Sequence, residues 1–209
     1  SIKRNGYQTH LKSRERLRDM QSKRRPLVAV MGNSAVPSGD ARLTLAYDLG
    51  ARLVESGYRV LCGGRGGIME AVCRGAKETS HTFEGATVAV LPSGKTRDAN
   101  PFVDVSIATG IGLSRNSIVA HGDAAIGLGG GAGTLSEMAY AWQFNRLLIG
   151  MRVEGWSGKL AGTRIDERIR FDGIDDDSCF GASTADEALR ILDERLPLYL
   201  ERLPDPQWT

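Results

Sequence analysis

The sequence predicts an α/β protein, a Rossmann-like three-layer sandwich built on a mostly parallel sheet. From Pro26 onward, short apolar runs alternate with longer segments of helical periodicity, which is typical of βαβ units. Three of these apolar runs also end in glycine-rich turns, as strands of nucleotide-binding sheets do. We therefore expect one α/β domain over residues 26–209, preceded by an extension over residues 1–25 that is predicted to be helical.

Each element is predicted from an apolar run or from helical spacing, bounded by glycine, proline or polar residues. The strands are expected, in chain order, at residues 27–31, 58–62, 86–91, 103–108, 123–128 and 147–151. The helices are expected at residues 40–56, 68–78, 115–121, 134–145 and 184–196. Residues 152–177 lack periodicity and are predicted to form a surface excursion. The last helix should end before Pro197, because proline cannot continue a helix.

Composition and charge exclude several classes of protein. The chain is 41% hydrophobic, and no apolar run approaches the roughly 20 residues that span a membrane. Its three cysteines and three histidines are scattered, which argues against a disulfide framework or a metal site. These features indicate a cytoplasmic protein that needs no metal.

The N-terminal extension is strongly basic. Residues 1–25 carry nine Lys or Arg against Glu15 and Asp19, a net charge of +7, so the rest of the chain carries −5 of the overall +2. Such an arm either binds nucleic acid or an acidic surface, or forms a solvated helix that packs on the domain or on a neighbouring subunit. Because Tyr7 is its only aromatic residue, we favour the packed helix over nucleic-acid binding.

The glycine-rich turns predict an anion site. In a parallel sheet the carboxyl ends of strands meet at one edge, where glycine lets the backbone approach a ligand and the next helix offers unpaired N–H groups. None of the turns is a Walker A loop or a complete dinucleotide fingerprint, but three together favour phosphate binding. The loop over residues 129–134 is expected to hold the phosphate. The candidate loop residues are Gly32, Asn33, Ser34, Gly63, Gly64, Gly66, Gly67, Gly130, Gly131, Gly133 and Thr134.

Two charged side chains join this candidate site. Arg115 falls in the first turn of its predicted helix, where a cation opposes the helix dipole by ~0.3–1 kcal/mol, a cost that a bound anion would offset. Glu137 lies three residues after Thr134, which is the spacing of a capping box. Glu137 therefore either caps its own helix or faces the sugar or leaving group of a ligand.

Three motifs in order carry a family resemblance. Residues 62–72, the triplet Ser114-Arg115-Asn116 and residues 130–137 resemble the LOG-like Rossmann superfamily, once misnamed lysine decarboxylases. The resemblance covers roughly residues 27–192. In its cytokinin-activating enzymes, an arginine and a glutamate cleave the N-glycosidic bond of nucleoside 5′-monophosphates. Arg115 and Glu137 match them, which implies a phosphoribohydrolase with these two catalytic residues.

A second branch of the superfamily fits three departures from the enzyme pattern. Asn116, Val119 and Gly129 stand where the enzymes carry lysine, methionine and proline, and residues 109–116 look like the molybdenum cofactor carrier branch. This resemblance implies a homo-oligomer, dimer or tetramer, that binds a phosphate-bearing pterin or nucleotide-like ligand through Arg115 and Asn116. No cofactor is then required, and the bound group is the molybdenum cofactor or a nucleotide monophosphate. A third hypothesis is a nucleotide-sensing module that signals through the basic arm.

Overall fold

The computed structural model describes residues 24–202, so the extension expected over residues 1–25 lies outside it except for Arg24 and Arg25. The strands in the described part are β1 Leu27–Gly32, β2 Arg59–Cys62, β3 Thr87–Leu91, β4 Val105–Ala108, β5 Ala124–Leu128, β6 Leu147–Met151 and β7 Cys179–Ala182. The helices are α1 Ala41–Glu55, α2 Ile68–Glu78, α3 Asn116–Val119, α4 Ala132–Gln143, α5 Trp156–Leu160 and α6 Ala185–Arg202. Two 3₁₀ turns cover Thr96–Asp98 and Gly112–Arg115.

All the strands pair in parallel, in the order β4-β3-β2-β1-β5-β6-β7. The chain therefore runs outward from β1 to β4, crosses back, and runs outward again from β5 to β7. The strand order reverses between β1 and β5, and in such sheets the crevice at the carboxyl ends of these two strands is where ligands bind. The predicted parallel α/β sheet is confirmed.

Helices cover both faces of the sheet. Along β1, Val28 and Val30 point into one core while Ala29 and Met31 point into the other, as the alternation of a strand requires. The first core also holds buried residues of α1, α2 and α6, and the second holds buried residues of α4. The predicted three-layer sandwich is confirmed. Within residues 24–202, no helix is both long and apolar enough to cross a bilayer.

The last helix differs from its predicted end. α6 continues through Pro197 to Arg202, although proline removes one backbone hydrogen bond and costs about 3 kcal/mol inside a helix. Packing beyond the proline offsets this cost, because Tyr199 is buried and its ring meets Phe171 edge-on at 4.7 Å between centroids. The expectation that the helix ends near Leu196 is wrong.

The predicted surface excursion over residues 152–177 is correct only in part, because many of its residues are exposed and irregular but others form a helix or are buried. This segment contains α5, and β7 follows it, although the sequence predicted neither element. Within the segment Arg170 is buried, and its guanidinium stacks 3.7 Å from the centre of the Trp142 ring. The Arg170 Nε and Nη2 atoms donate to the two carboxylate oxygens of buried Asp177 at 2.8 and 2.5 Å. Within this charge-rich segment, Arg170 and Asp177 therefore form a buried ion pair rather than part of a solvated surface.

Candidate functional site

The three glycine-rich loops follow β1, β2 and β5, which are neighbours in the sheet, so the structure brings them together as predicted. Asn33 joins them. Its side-chain Oδ1 accepts a hydrogen bond from the Gly130 amide at 2.7 Å. Its backbone carbonyl accepts one from the Ile68 amide at 3.0 Å, at the start of α2. Ser34 follows on the exposed side of the first loop.

Most of the candidate glycines have a packing role. A Cβ atom at Gly67 would lie 2.4 Å from the Asn33 carbonyl oxygen, and one at Gly32 would lie 2.6 Å from the Ile68 side chain. Gly64 and Gly130 have φ angles of +71° and +92°, which favour glycine. A Cβ at Gly130 would also lie 2.2 Å from the Cβ of buried Thr134. These residues let the loops pack tightly around the crevice.

Gly131 and Gly133 are different, because a Cβ atom at either position meets no other atom within 4 Å. Helix α4 begins at Ala132, directly between them, and Gly131 caps it without any side-chain hydrogen bond. The first hydrogen bond back into the helix comes from Leu135, whose amide donates to the Gly131 carbonyl at 3.0 Å. The first amides of α4 therefore have no partner within the helix, and Ala132 and Gly133 are exposed. Unpaired amides at the start of a helix are able to bind an anion.

The start of α5 braces the loop after β5. The Trp156 amide donates to the Gly130 carbonyl at 3.1 Å, and the Ser157 amide donates to the Gly129 carbonyl at 3.0 Å. The buried Ser157 hydroxyl accepts from the Gly129 amide and donates to the Met151 carbonyl, both at 2.7 Å. Sequence reasoning missed this brace, because its only local signal was glycine in a stretch without periodicity.

Arg115 and Glu137 form a buried ion pair beside the loop after β2. The Arg115 Nη1 atom lies 2.5 Å from Glu137 Oε1, and each side chain is only 8% exposed. The guanidinium covers Gly63, where a Cβ atom would lie 2.4 Å from Arg115 Nη2. Glu137 therefore neutralises Arg115 and does not reach back to Thr134, so its interpretation as a helix cap is wrong.

The expectation that Arg115 opposes the dipole of a long helix is also wrong. Arg115 ends the 3₁₀ turn Gly112–Arg115 instead of lying in the first turn of a long helix, and α3 after it has only four residues. Such a short helix has little dipole to oppose. The charge of Arg115 is balanced by Glu137, which is 22 positions away in the sequence.

Burial dominates the electrostatics of this pair. Desolvation raises the pKa of the Glu137 carboxyl, and the nearby Arg115 cation lowers it by less.

Within residues 24–202, the buried atoms Arg115 Nε and Asn116 Oδ1 have no hydrogen-bond partner. The Asn116 Nδ2 atom donates to the Ser136 hydroxyl at 2.8 Å. The Ser136 hydroxyl in turn donates to the Gly133 carbonyl at 2.7 Å. Asn116 thus fastens the first turn of α4.

A second cation that sequence reasoning missed lies at the rim of the crevice. Arg42, in the first turn of α1, has Nη1 only 3.4 Å from the position of a Cβ atom at Gly129. Asp40 holds it through two hydrogen bonds, of 3.0 Å to Arg42 Nε and 2.6 Å to Nη2. These bonds, with the hydrogen bond from the Arg42 backbone amide, lower the pKa of Asp40 to about 2.

In the described part of the chain, no group of three His, Cys, Asp or Glu side chains is placed to bind a metal ion.

Comparison with known families assigns the chain to one of them. The sequence model described as the SLOG cluster4 family matches residues 25–186, which is most of the chain. The chain belongs to the SLOG cluster4 family. This confirms the superfamily that the three motifs indicated. The SLOG cluster4 match contains every candidate site residue, from Gly32 to Glu137.

The chain is also similar to solved structures and to one curated relative. The molybdenum cofactor binding protein of Rippkaea orientalis is 30% identical, with a TM-score of 0.66 over 82% of this chain and 98% of that one. The molybdenum cofactor carrier protein of Chlamydomonas reinhardtii is 26% identical, with a TM-score of 0.66 over 83% and 99%. An uncharacterized protein of Archaeoglobus fulgidus is 45% identical over 98 residues, 46% of this chain. The matched segment spans 62% of that relative's length.

Proposed function

We propose that this SLOG cluster4 protein binds a phosphate-bearing pterin or nucleotide-like ligand in the crevice between β1 and β5, as a carrier rather than a catalyst. The open N-terminus of α4 carries this proposal, because Gly131 and Gly133 leave room beside amides that have no partner in the helix. Arg42, whose charge is paired with Asp40, places its Nη1 donor at the rim beside Gly129. The proteins of similar structure named for molybdenum cofactor binding support a pterin as the ligand.

A negative charge at Gly133 tests the phosphate site. Gly133 lies in the first turn of α4 and has space for a side chain, so Gly133→Asp should fold and even favour the helix dipole. The carboxylate would repel a bound phosphate. We expect the affinity for ribose 5-phosphate, measured by calorimetry, to fall about 10- to 100-fold, because like charges a few ångströms apart near a protein surface interact by a few kcal/mol.

Gly133→Asn is the matched control, since asparagine has the shape of aspartate without its charge. It should bind ribose 5-phosphate with nearly the affinity of the natural chain. Equal binding by the natural chain and the aspartate variant would place the phosphate elsewhere. Binding of the molybdenum cofactor itself, followed by its absorbance during gel filtration, would then show whether a pterin occupies the crevice.

A phosphoribohydrolase is the second candidate function, and the contact between Arg115 and Glu137 favours it, because the residues that match the enzyme pair lie together. Incubation with AMP, followed by chromatography for adenine and ribose 5-phosphate, separates the two functions. We expect binding without turnover. Turnover that disappears in Glu137→Gln, with the fold intact, would establish the enzyme and overturn the carrier.

A homo-oligomer is part of the same proposal. Exposed apolar side chains are concentrated on edge strand β4 and just after it, at Val105, Ile107, Ile111 and Leu113, which are 45–76% exposed. Such a patch is typical of a protein–protein interface. Sedimentation of the full chain with and without GMP measures the number of subunits. A ligand-dependent change in that number would favour the nucleotide-sensing hypothesis over the carrier.

A further inference from the structure

A cavity lies at the carboxyl ends of β2 and β3, beside the proposed phosphate site. It has a volume of about 360 Å³. Gly66 forms the wall nearest the crevice, since a Cβ atom there would lie 3.2 Å from the Ser34 carbonyl oxygen. Strands lie about 4.8 Å apart, so two or three spacings, roughly 10–14 Å, separate this cavity from the loop after β5. One elongated ligand can therefore reach both.

The cavity is rich in hydrogen-bond acceptors. Glu70 on α2, Asp98 and Ser93 line it. Within residues 24–202, the half-buried Glu70 carboxylate takes part in no ion pair or hydrogen bond. By contrast, the buried Asn100 amide is fully engaged, because Nδ2 donates to the Arg65 carbonyl at 3.1 Å and Oδ1 accepts from the Phe102 amide at 3.2 Å. Asn100 is thus a rigid wall. The carboxylates of Glu70 and Asp98 both have acceptors to spare, and Glu70 is the less exposed of the two.

An ionised carboxylate accepts hydrogen bonds and donates none, and its two oxygens suit a pair of neighbouring N–H groups. Pterins and guanine present such a pair, a ring N–H next to an exocyclic amino group. Adenine instead presents its amino group beside an unprotonated ring nitrogen, whose lone pair would oppose the carboxylate. Hypoxanthine keeps the ring N–H but lacks the amino group. Arg65 at the same cavity supplies compensating positive charge.

We propose that this cavity receives the ring end of the ligand, and that Glu70 selects the amino and N–H edge shared by pterins and guanine. The inference rests on the proposed function, because it assumes that the phosphate of the same ligand sits at the start of α4. It makes Glu70 a specificity-determining residue, separate from the Arg115–Glu137 pair. The motif at residues 62–72 places Glu70 on the first turn of α2, beside the glycines that shape the cavity.

Calorimetry with GMP, IMP, AMP and ribose 5-phosphate tests the inference on the full chain. The natural protein should bind GMP about 10- to 100-fold more tightly than AMP, the effect of one or two hydrogen bonds to a charged group, with IMP between them. In Glu70→Gln this preference should shrink by about 10-fold, while the affinity for ribose 5-phosphate stays unchanged. Glu84→Gln, which removes an exposed carboxylate, is the matched control and should behave like the natural chain.

Two failures are distinguishable. If all four compounds bind but Glu70→Gln keeps the natural ratio of GMP to AMP affinity, the inference is overturned and the phosphate site stands. If none of them binds, the proposed function fails and the inference fails with it. Glu70→Ala is a second variant, which removes the same carboxylate and should lose the same preference for GMP, so the test stays informative if Glu70→Gln does not fold. A preference for AMP over GMP in the natural chain would also overturn the inference.

Discussion

Asp177→Ala is expected to lower the free energy of unfolding by about 3–5 kcal/mol, the usual cost of breaking a buried ion pair from one side. Arg170 is 0% exposed and Asp177 is 3% exposed, so water cannot replace the lost carboxylate. The substitution also removes the acceptor of the Tyr199 hydroxyl. At roughly 2–4 °C per kcal/mol, the melting temperature should fall by about 6–20 °C in a thermal scan.

The neighbouring residue provides the control for this result. Asp176 also pairs with an arginine, Arg195, but its side chain is 58% exposed, and such pairs contribute at most about 1 kcal/mol. Equal losses in Asp176→Ala and Asp177→Ala would show that burial does not determine the cost. Replacing both Arg170 and Asp177 by apolar residues should recover part of the loss, because no unpaired charge then remains.

The same ion pair shows which parts of the fold the sequence could predict. The central strands were found because strands buried on both faces are continuous apolar runs, such as β5 and β6. β7 has four residues, Cys179–Ala182, which form a strand only because they pair with β6. The buried segment around Arg170 depends on Asp177 and on the distant Trp142, and no local pattern reports such contacts.

The candidate site divides in the same way. Glycines that end strands are visible in the sequence, and parallel topology brings them together. The contact between Arg115 and Glu137, the position of Arg42 beside Gly129 and the brace from Ser157 all join distant parts of the chain. The capping-box interpretation of Glu137 was wrong for that reason. The local motif allows Glu137 to cap its own helix, but the ion pair with the distant Arg115 is the contact that forms. The capping box at Thr184, whose hydroxyl accepts from the Glu187 amide at 3.2 Å, has no such competitor.

Arg115→Met is expected to have the largest effect at the site. It leaves the Glu137 carboxylate buried without its cation, which should cost about 3–5 kcal/mol of unfolding free energy near neutral pH. Burial already raises the pKa of Glu137 in the folded protein, and removal of the Arg115 cation, which lowers it, should raise it further. The cost is therefore the energy of keeping a charge out of water, and a proton on Glu137 removes it.

The sign of the pH dependence follows from that shift. A carboxyl whose folded pKa lies above its unfolded value contributes its full stability below the unfolded pKa, and this contribution is lost as the pH rises through the folded pKa. The free energy of unfolding of Arg115→Met, measured with urea, should therefore be closest to that of the natural protein near pH 4.5. The difference between the two should grow steadily as the pH rises toward 8. Adding Glu137→Gln should flatten this dependence and restore stability at high pH. Parallel profiles for the natural chain and Arg115→Met would mean that Glu137 is not the group that titrates, and that its charge is balanced by something other than Arg115.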